Sequence, residues 1–359
     1  MVLIVVRRER NVNEIVKVHV FFLTQRQSAA RSLIHKLTNE LINQRSSDPV
    51  TRKILVTAPP MSKNIAWFQD DAKRLNLVFH CPDIDQQMIE GELVKIIGDY
   101  DGWIAGDDPV NEAVLSAGKA GRLKSVVRWG IGMDNVDRET AERLGFDIKN
   151  TPNVFGVDVA EVAVGYCLAL ARHTFEIDRS VRAGGWPKPT GTTLSGKSIG
   201  ILGFGDIGKE TAYRLKCLGC ELSAIYDPSF QPDERMPKLA PTPWPEKLNQ
   251  LDYLILTAPL NEATKHIINK NSLNAMKRGI KLINVSRGGL VNEQDIEEAI
   301  SSGIVSSAAL EVTETEPLPA DSSLRNYDNI IFGCHNASNT KEGIVRATKV
   351  ALTLITSNH

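Results

Sequence analysis

From Lys53 onward the chain alternates short apolar runs with segments whose apolar positions recur at helical spacing. Runs of this length, rich in Val, Ile and Leu, fit strands of a parallel sheet covered by helices on both faces. The first series reads KILVTAPP, LVFHCP, GWIAGDD, LKSVVRWG and FDIKNTP, with amphipathic stretches at 111–120 and 137–145. A longer helical segment runs from Asp158 to His173, and the Gly/Pro-rich passage GGWPKPTGTTLSGK after it reads as loop. A second series follows: KSIGILG, ELSAIYD, DYLILTAP, IKLINVSR, IVSSAALE and NIIFGCH. One helix, 340–355, closes the chain; it is too short for a domain of its own and is expected to pack back on the first series. The pattern predicts an α/β protein with two doubly wound parallel-sheet domains.

Length agrees, since 359 residues suit two cores of ordinary size. A formal net charge of −1 gives no argument for nucleic acid as partner. No apolar run reaches the roughly 20 residues needed to cross a bilayer, so no membrane span is expected. Cys81, Cys167, Cys217, Cys220 and Cys334 are odd in number and scattered, which suits a reducing, cytoplasmic compartment. Cys217 and Cys220 form one CxxC, but no second pair or nearby histidine completes a zinc site, and inert thiols are expected. The first 52 residues differ from the rest, with nine Lys/Arg against four Asp/Glu. Patterned strands begin only at Lys53, and the next methionine after Met1 is Met61. Residues 1–52 are therefore expected to be a dispensable N-terminal extension, conceivably from a mis-assigned translation start.

Residues 203–208, GFGDIG, follow the strand KSIGIL and open a helical stretch. In a GxGxxG loop so placed, Gly203 permits the tight turn, Gly205 lets the backbone approach a pyrophosphate, and Gly208 lets helix and strand pack closely. The helix start at Asp206 and Ile207 supplies N–H groups and the positive end of the dipole. The next strand ends in Asp227, 19 residues beyond Gly208, where a carboxylate can accept from an adenosine ribose. The same charge would repel a 2′-phosphate, so NAD is expected rather than NADP.

Ligands of open α/β sheets sit beyond the carboxyl ends of the strands, so the residues ending later strands are candidates. Pro259 can line a cofactor face. Arg287, followed by Gly288-Gly289, can present its fork to a carboxylate, although alone it would read as a surface cation. Glu311, Glu314 and Glu316 follow IVSSAAL, and His335 ends the last run. His335 alone would read as structural; set against Glu316, its ring is oriented and favoured in the protonated form.

Taken together, GFGDIG, Asp227, NVSRGG, the Glu-Pro of TETEP and His335 resemble the D-isomer-specific 2-hydroxyacid dehydrogenases, over roughly residues 53–355. The resemblance implies a Rossmann NAD domain at 156–335 inserted in a flavodoxin-like substrate domain made of 53–155 and 336–359. It implies that Arg287 binds the carboxylate and carbonyl of a small 2-keto or 2-hydroxy acid, and that Glu316 pairs with His335, the proton donor during hydride transfer. WGIGMDNVD (129–137) matches the family's substrate loop, so the backbone N–H groups of Ile131 and Gly132 are expected to meet the carboxylate. Thr264, Val285 and Glu311 complete the expected cofactor set, with Glu311 near the nicotinamide carboxamide. The family also implies a homodimer, paired through 157–195; no metal is expected, because His335, the candidate nitrogen near the glutamates, is already needed by Glu316.

Two departures bear on the substrate. Glu311 and Val312-Thr313 stand where the family usually has Asp before Val-Phe. The loop after the third strand reads GDDPVN, with Asp107 and Asp108, where phosphoglycerate-using members tend to carry arginine. This counts against a phosphorylated substrate; ending at His359, the chain is also expected to lack the regulatory domain of longer phosphoglycerate dehydrogenases. Phosphoglycerate dehydrogenase proper and a non-catalytic NAD-sensing corepressor are the alternatives; formate oxidation would pair the histidine with glutamine rather than Glu316. Trp67, Trp103 and Trp129 are candidates to set pocket size, with an ordinary core role for Trp129 equally open.

Overall fold

The computed structural model describes residues 3–6, 18–21 and 51–357. Met1–Thr51 and Arg52–His359 are separate compact units. In the first, β1 (Leu3–Val6) and β2 (Val18–Phe21) pair antiparallel, with Leu3 opposite Phe21. This corrects the expectation that strands begin at Lys53: four-residue runs such as LIVV and VHVF are too short to show alternation, yet their β-branched residues suit a strand. The expectation of a dispensable extension with an internal start otherwise lies outside the described residues.

The second unit holds two parallel sheets. The first contains β3 (Arg52–Val56), β4 (Leu77–His80), β5 (Gly102–Ala105), β6 (Ser125–Arg128) and β7 (Lys149–Asn150), in the order β4-β3-β5-β6-β7. The second contains β8 (Ser198–Leu202), β9 (Glu221–Tyr226), β10 (Tyr253–Leu256), β11 (Ile280–Asn284), β12 (Val305–Leu310) and β13 (Ile330–Phe332), in the order β13-β12-β11-β10-β8-β9. Each order reverses once, beside β3 and beside β8. At such switch points the loops diverge and leave a crevice beyond the strand ends. The doubly wound α/β architecture read from the hydrophobic pattern is therefore what the chain adopts.

Local chemistry sets the element ends. Asn111 caps the helix Glu112–Ala120 by accepting from Val114 N at 3.2 Å. Asp137 does the same for Arg138–Leu144, accepting from Thr140 N at 3.0 Å, and Gly145 ends that helix in the left-handed conformation. The seventeen-residue helix Gly156–Arg172 leaves the first sheet for the second, packing against the helix Asp206–Cys217. After β13 the chain returns, and helix Lys341–Ser357 lies on β5 and β6, where Thr348 Oγ1 accepts from Trp129 Nε1 at 3.1 Å.

One apolar cluster joins residues of both sheets, from Ile54 and Ile104 through Phe155 and Val159 to Ile201, Ile283 and Ile355. Trp103 lies wholly inside the first domain and donates from Nε1 to Thr57 Oγ1 at 2.8 Å. Thr57 in turn donates to Asp108, which also accepts from Met88 N and Gly106 N, each at 2.8 Å. Burial pushes the Asp108 carboxyl above the usual carboxylate range, against these hydrogen bonds. Trp103 and Trp129 are thus core residues rather than pocket walls, whereas Trp67 is exposed. Among the described residues no helix is long and apolar enough to cross a membrane.

Candidate active site

The turn after β8 is built for close approach. Gly203 has φ +95°, and a Cβ there would lie 2.5 Å from Ala258 N, so only glycine lets this turn abut the end of β10. A Cβ on Gly208 would meet Gly203 O at 2.1 Å, whereas one on Gly205 would have nothing within 4 Å. The open face at Gly205, in front of the twelve-residue helix Asp206–Cys217, fits a pyrophosphate. Asp227 Oδ2 accepts from Phe204 N at 2.6 Å and its Oδ1 from Ser229 N at 2.8 Å, so this carboxylate braces the loop.

Other residues of the expected cofactor set stand differently. The Asp206 side chain turns back toward Gly156 N, and its Oδ2 is buried without a hydrogen-bond partner among the described residues. Burial holds this carboxyl above its usual range; for a cofactor, only the backbone at Asp206 and Ile207 is placed to serve. Thr264 Oγ1 is committed to its own turn, donating to Pro259 O at 2.6 Å and accepting from Asn261 N at 2.9 Å. Pro259 is exposed on the rim and Val285 is buried beneath it.

Arg287 is aimed by the tight turn that ends β11. Buried Asn284 donates to Arg287 O at 2.8 Å and accepts from Ser286 N at 3.1 Å. The guanidinium then reaches the first domain, where Nε donates to Asp134 Oδ1 at 3.1 Å and Oδ2 at 3.3 Å, while Nη1 donates to Ser286 O at 2.8 Å. Of the five N–H groups a guanidinium carries, three are left without a partner among the described residues. A Cβ on Gly132 would fall 1.8 Å from Arg287 Nη2, so the loop backbone at Ile131 and Gly132 lies directly against the cation.

His335 Nδ1 and Glu316 Oε2 are 2.7 Å apart, and Glu316 Oε1 accepts from Thr313 N at 3.1 Å. With Nδ1 turned to the carboxylate, Nε2 is the ring nitrogen left for a ligand. Burial, the largest influence, disfavours the charged ring, but the hydrogen bond and charge of Glu316, helped by Asp107 and opposed by Arg287, raise the pKa above the ordinary 6.5.

Two readings of acidic residues need correction. Glu311 lies almost wholly inside, accepting from Asn336 N at 2.5 Å and from the Tyr166 hydroxyl, so its carboxyl is engaged within the protein instead of facing a nicotinamide. Glu314 is exposed and pairs with His266 Nε2. Asp108 is buried beneath the loop, and Asp107 pairs with Arg128, so neither stands as a free charge toward substrate. Arg128, at the end of β6, was not anticipated, nor was Asp134. Applying the strand-end rule to the first sheet would have found Arg128; WGIGMDNVD contains Asp134. A cleft of about 570 Å³ touches both Asp107 and Asp134 and is lined further by Met88, Pro109 and Val136.

A dinucleotide turn, an arginine and a carboxylate-paired histidine set along the carboxyl rim of one parallel sheet fit a nicotinamide-dependent oxidoreductase. Residues 164–337 match the family model "D-isomer specific 2-hydroxyacid dehydrogenase, NAD binding domain". The chain is 36% identical over 263 residues to hydroxypyruvate reductase of Thermotoga maritima, covering 72% of this chain and 84% of that protein. It is 32% identical over 310 residues to D-3-phosphoglycerate dehydrogenase of Methanocaldococcus jannaschii, with 84% of this chain but only 56% of the relative covered. The crystal structure of a glyoxylate reductase from Paecilomyes thermophila superposes with TM-score 0.73 at 25% identity, over 85% of this chain and 94% of that one. The protein thus belongs to the D-isomer specific 2-hydroxyacid dehydrogenase family: it is an NAD-dependent dehydrogenase of small 2-hydroxy or 2-keto acids.

The expectation that Asp227 disfavours a 2′-phosphate can be tested directly. Asp227→Ser should raise the ratio of NADPH to NADH kcat/KM by about tenfold or more, equivalent to roughly 1.4 kcal/mol of relieved repulsion. An unchanged ratio in steady-state assays would remove Asp227 from cofactor choice.

Proposed function

We propose that the cleft interconverts a small, singly charged D-2-hydroxy acid and its 2-keto acid, with His335–Glu316 moving the proton and Arg287 holding the substrate. The observation that carries this is the 2.7 Å His335–Glu316 contact beside a partly unpartnered arginine, at the rim of the dinucleotide sheet. When bound, NAD(H) would supply or take up the hydride exchanged at the substrate's C2. In reduction, His335 Nε2 gives its proton to the substrate carbonyl oxygen; in oxidation the neutral ring takes the hydroxyl proton. Glu316 fixes the ring and stabilises its charged form. Free N–H groups of Arg287 meet the carboxylate and polarise the carbonyl, with the backbone at Ile131 and Gly132 completing the carboxylate site. In this reading 53–155 and 336–359 bind the substrate and 156–335 bind NAD.

The reading of a single negative charge rests on the arginines. Arg287 has Asp134 and nearly buried Arg128 has Asp107, so a second anionic group on the substrate would have to displace a carboxylate. Phosphoglycerate dehydrogenase is therefore the less favoured reading. Leu168, Phe175, Val181 and Trp186 expose apolar side chains along 157–195, and Trp186 is 78% exposed. We read this face as covered by a second copy of the chain.

His335→Ala should lower kcat by about two to four decades, the usual cost of a lost acid or base; near-parental turnover would refute the assignment. Because reduction needs the protonated ring and its pKa is raised, turnover of keto acid should be full at low pH and fall only above 6.5. Glu316→Gln should move that midpoint down, whereas a fixed midpoint would exclude the pair. Glyoxylate or hydroxypyruvate should be reduced faster than phosphohydroxypyruvate, and Asp107→Ser should improve kcat/KM for the phosphorylated acid relative to the others by about tenfold. If the wild-type enzyme prefers the phosphorylated substrate, the charge argument fails. Sedimentation should give twice the chain mass, reduced to the monomer by Phe175→Ser with Trp186→Ser; a monomeric parent would end the dimer reading.

A further inference from the structure

His335 holds a backbone conformation that a side chain rarely adopts, with φ +55°. Such a conformation persists only where its surroundings over-determine it. Here one residue supplies both restraints. The N–H of His335 donates to Glu311 O at 2.9 Å, and the N–H of Asn336 donates to Glu311 Oε1 at 2.5 Å. The two N–H groups that bracket the functional ring's Cα are thus held by the main chain and side chain of the same glutamate.

Glu311 is itself held. Its Oε2 accepts from the Tyr166 hydroxyl, on the helix Gly156–Arg172, and the residue is 4% exposed. Burial, then the hydrogen bond and charge of Glu311, push the Tyr166 hydroxyl upward, so it stays a proton donor. The longer side chain fits because residue 333 is glycine: a Cβ there would stand 1.8 Å from Glu311 Oε2 and 2.7 Å from Tyr166 Oη. An aspartate at 311, one methylene shorter, could not span from the strand end to both Asn336 N and Tyr166.

We propose that Glu311 is a positioning residue, which clamps the His335–Asn336 backbone and is anchored through Tyr166 to the helix Gly156–Arg172. The clamp keeps the ring on Glu316 without touching substrate. The inference rests on the reading of His335 as the proton-transfer residue.

The experiment compares Glu311→Gln, Glu311→Asp and Tyr166→Phe in the full-length protein, by kcat, KM, NADH affinity, thermal melting and the pH midpoint of keto-acid reduction. Glutamine keeps the acceptor for Asn336 and can donate to Tyr166 Oη, so kcat should stay within about threefold of the parent. Aspartate should lower kcat about 10- to 100-fold, the cost of an ångström-scale misplacement, with NADH affinity within about twofold. His335 faces Glu316, Arg287 and Asp107. A ring drifting off Glu316 should therefore lower the pH midpoint, which mere loss of folded enzyme would not do. Tyr166→Phe should reduce kcat several-fold with the same direction of shift. Parental kcat and midpoint in Glu311→Asp would overturn the clamp, as would a loss in NADH affinity matching the loss in kcat, the mark of a nicotinamide contact. If Glu311→Asp does not melt as a folded protein, Tyr166→Phe decides: parental values overturn the proposal. His335→Ala separates the two claims, since its full activity would remove the underlying reading, whereas its inactivity beside a fully active Glu311→Asp would sink the clamp alone.

Discussion

The contact from Arg287 Nε to Asp134, at 3.1 and 3.3 Å, joins a strand end of the six-stranded sheet to a loop of the five-stranded sheet, and the geometry of the cleft depends on it. Both side chains keep some exposure, so the pair adds about 1 kcal/mol or less to stability. Its effect is orientation: a guanidinium free on a flexible stem samples many directions, whereas one fixed at Nε and at Nη1 points its remaining N–H groups one way. Stability comes instead from the apolar cluster that runs through both sheets, which makes the crevice a fixed feature of the fold.

Charge in the crevice is balanced in pairs. Burial above all lowers the pKa of Arg128; Asp107 and Asp134 oppose this and Arg287 adds to it. His335 sits in the same field, pulled up by Glu316 and Asp107 and down by burial and Arg287. The net direction is upward, toward the protonated ring. Moving one carboxylate would change two functions together: where anions settle and when the histidine is charged.

Features legible in the sequence were those set by local chemistry. The glycines of GFGDIG, the aspartate ending the next strand and the capped helices each follow from a few adjacent residues, and parallel strands put Arg287 and His335 on one rim because strand ends share a side. What sequence could not supply was the direction of a side chain once it left the backbone. Asp107 and Asp108 are neighbours of the same type, yet one meets an arginine and the other turns inward to Thr57 and two backbone N–H groups. Trp103 reads as a possible pocket wall until its partner, 46 positions away, is seen to be Thr57. Arg128 went unnoticed because the rule that found Arg287 was applied to one sheet only.

The three glutamates of ALEVTETEP make the same point within six positions. Glu311 ends a central strand, where the chain is still buried, so its side chain must find donors inside and takes Tyr166 and Asn336 N. Three residues on, the chain has left the sheet, and Glu314 meets His266 while its own N–H donates to Glu293 Oε1 at 2.7 Å. Glu316 lies where the loop turns back, and the Thr313 N–H across that turn fixes one oxygen so that the other is presented to His335. One side-chain chemistry thus serves three ends because depth in the fold changes faster along this loop than residue type does. Both glutamates that precede Glu316 in this loop are engaged, and Glu311 links the loop to Tyr166 on the helix Gly156–Arg172.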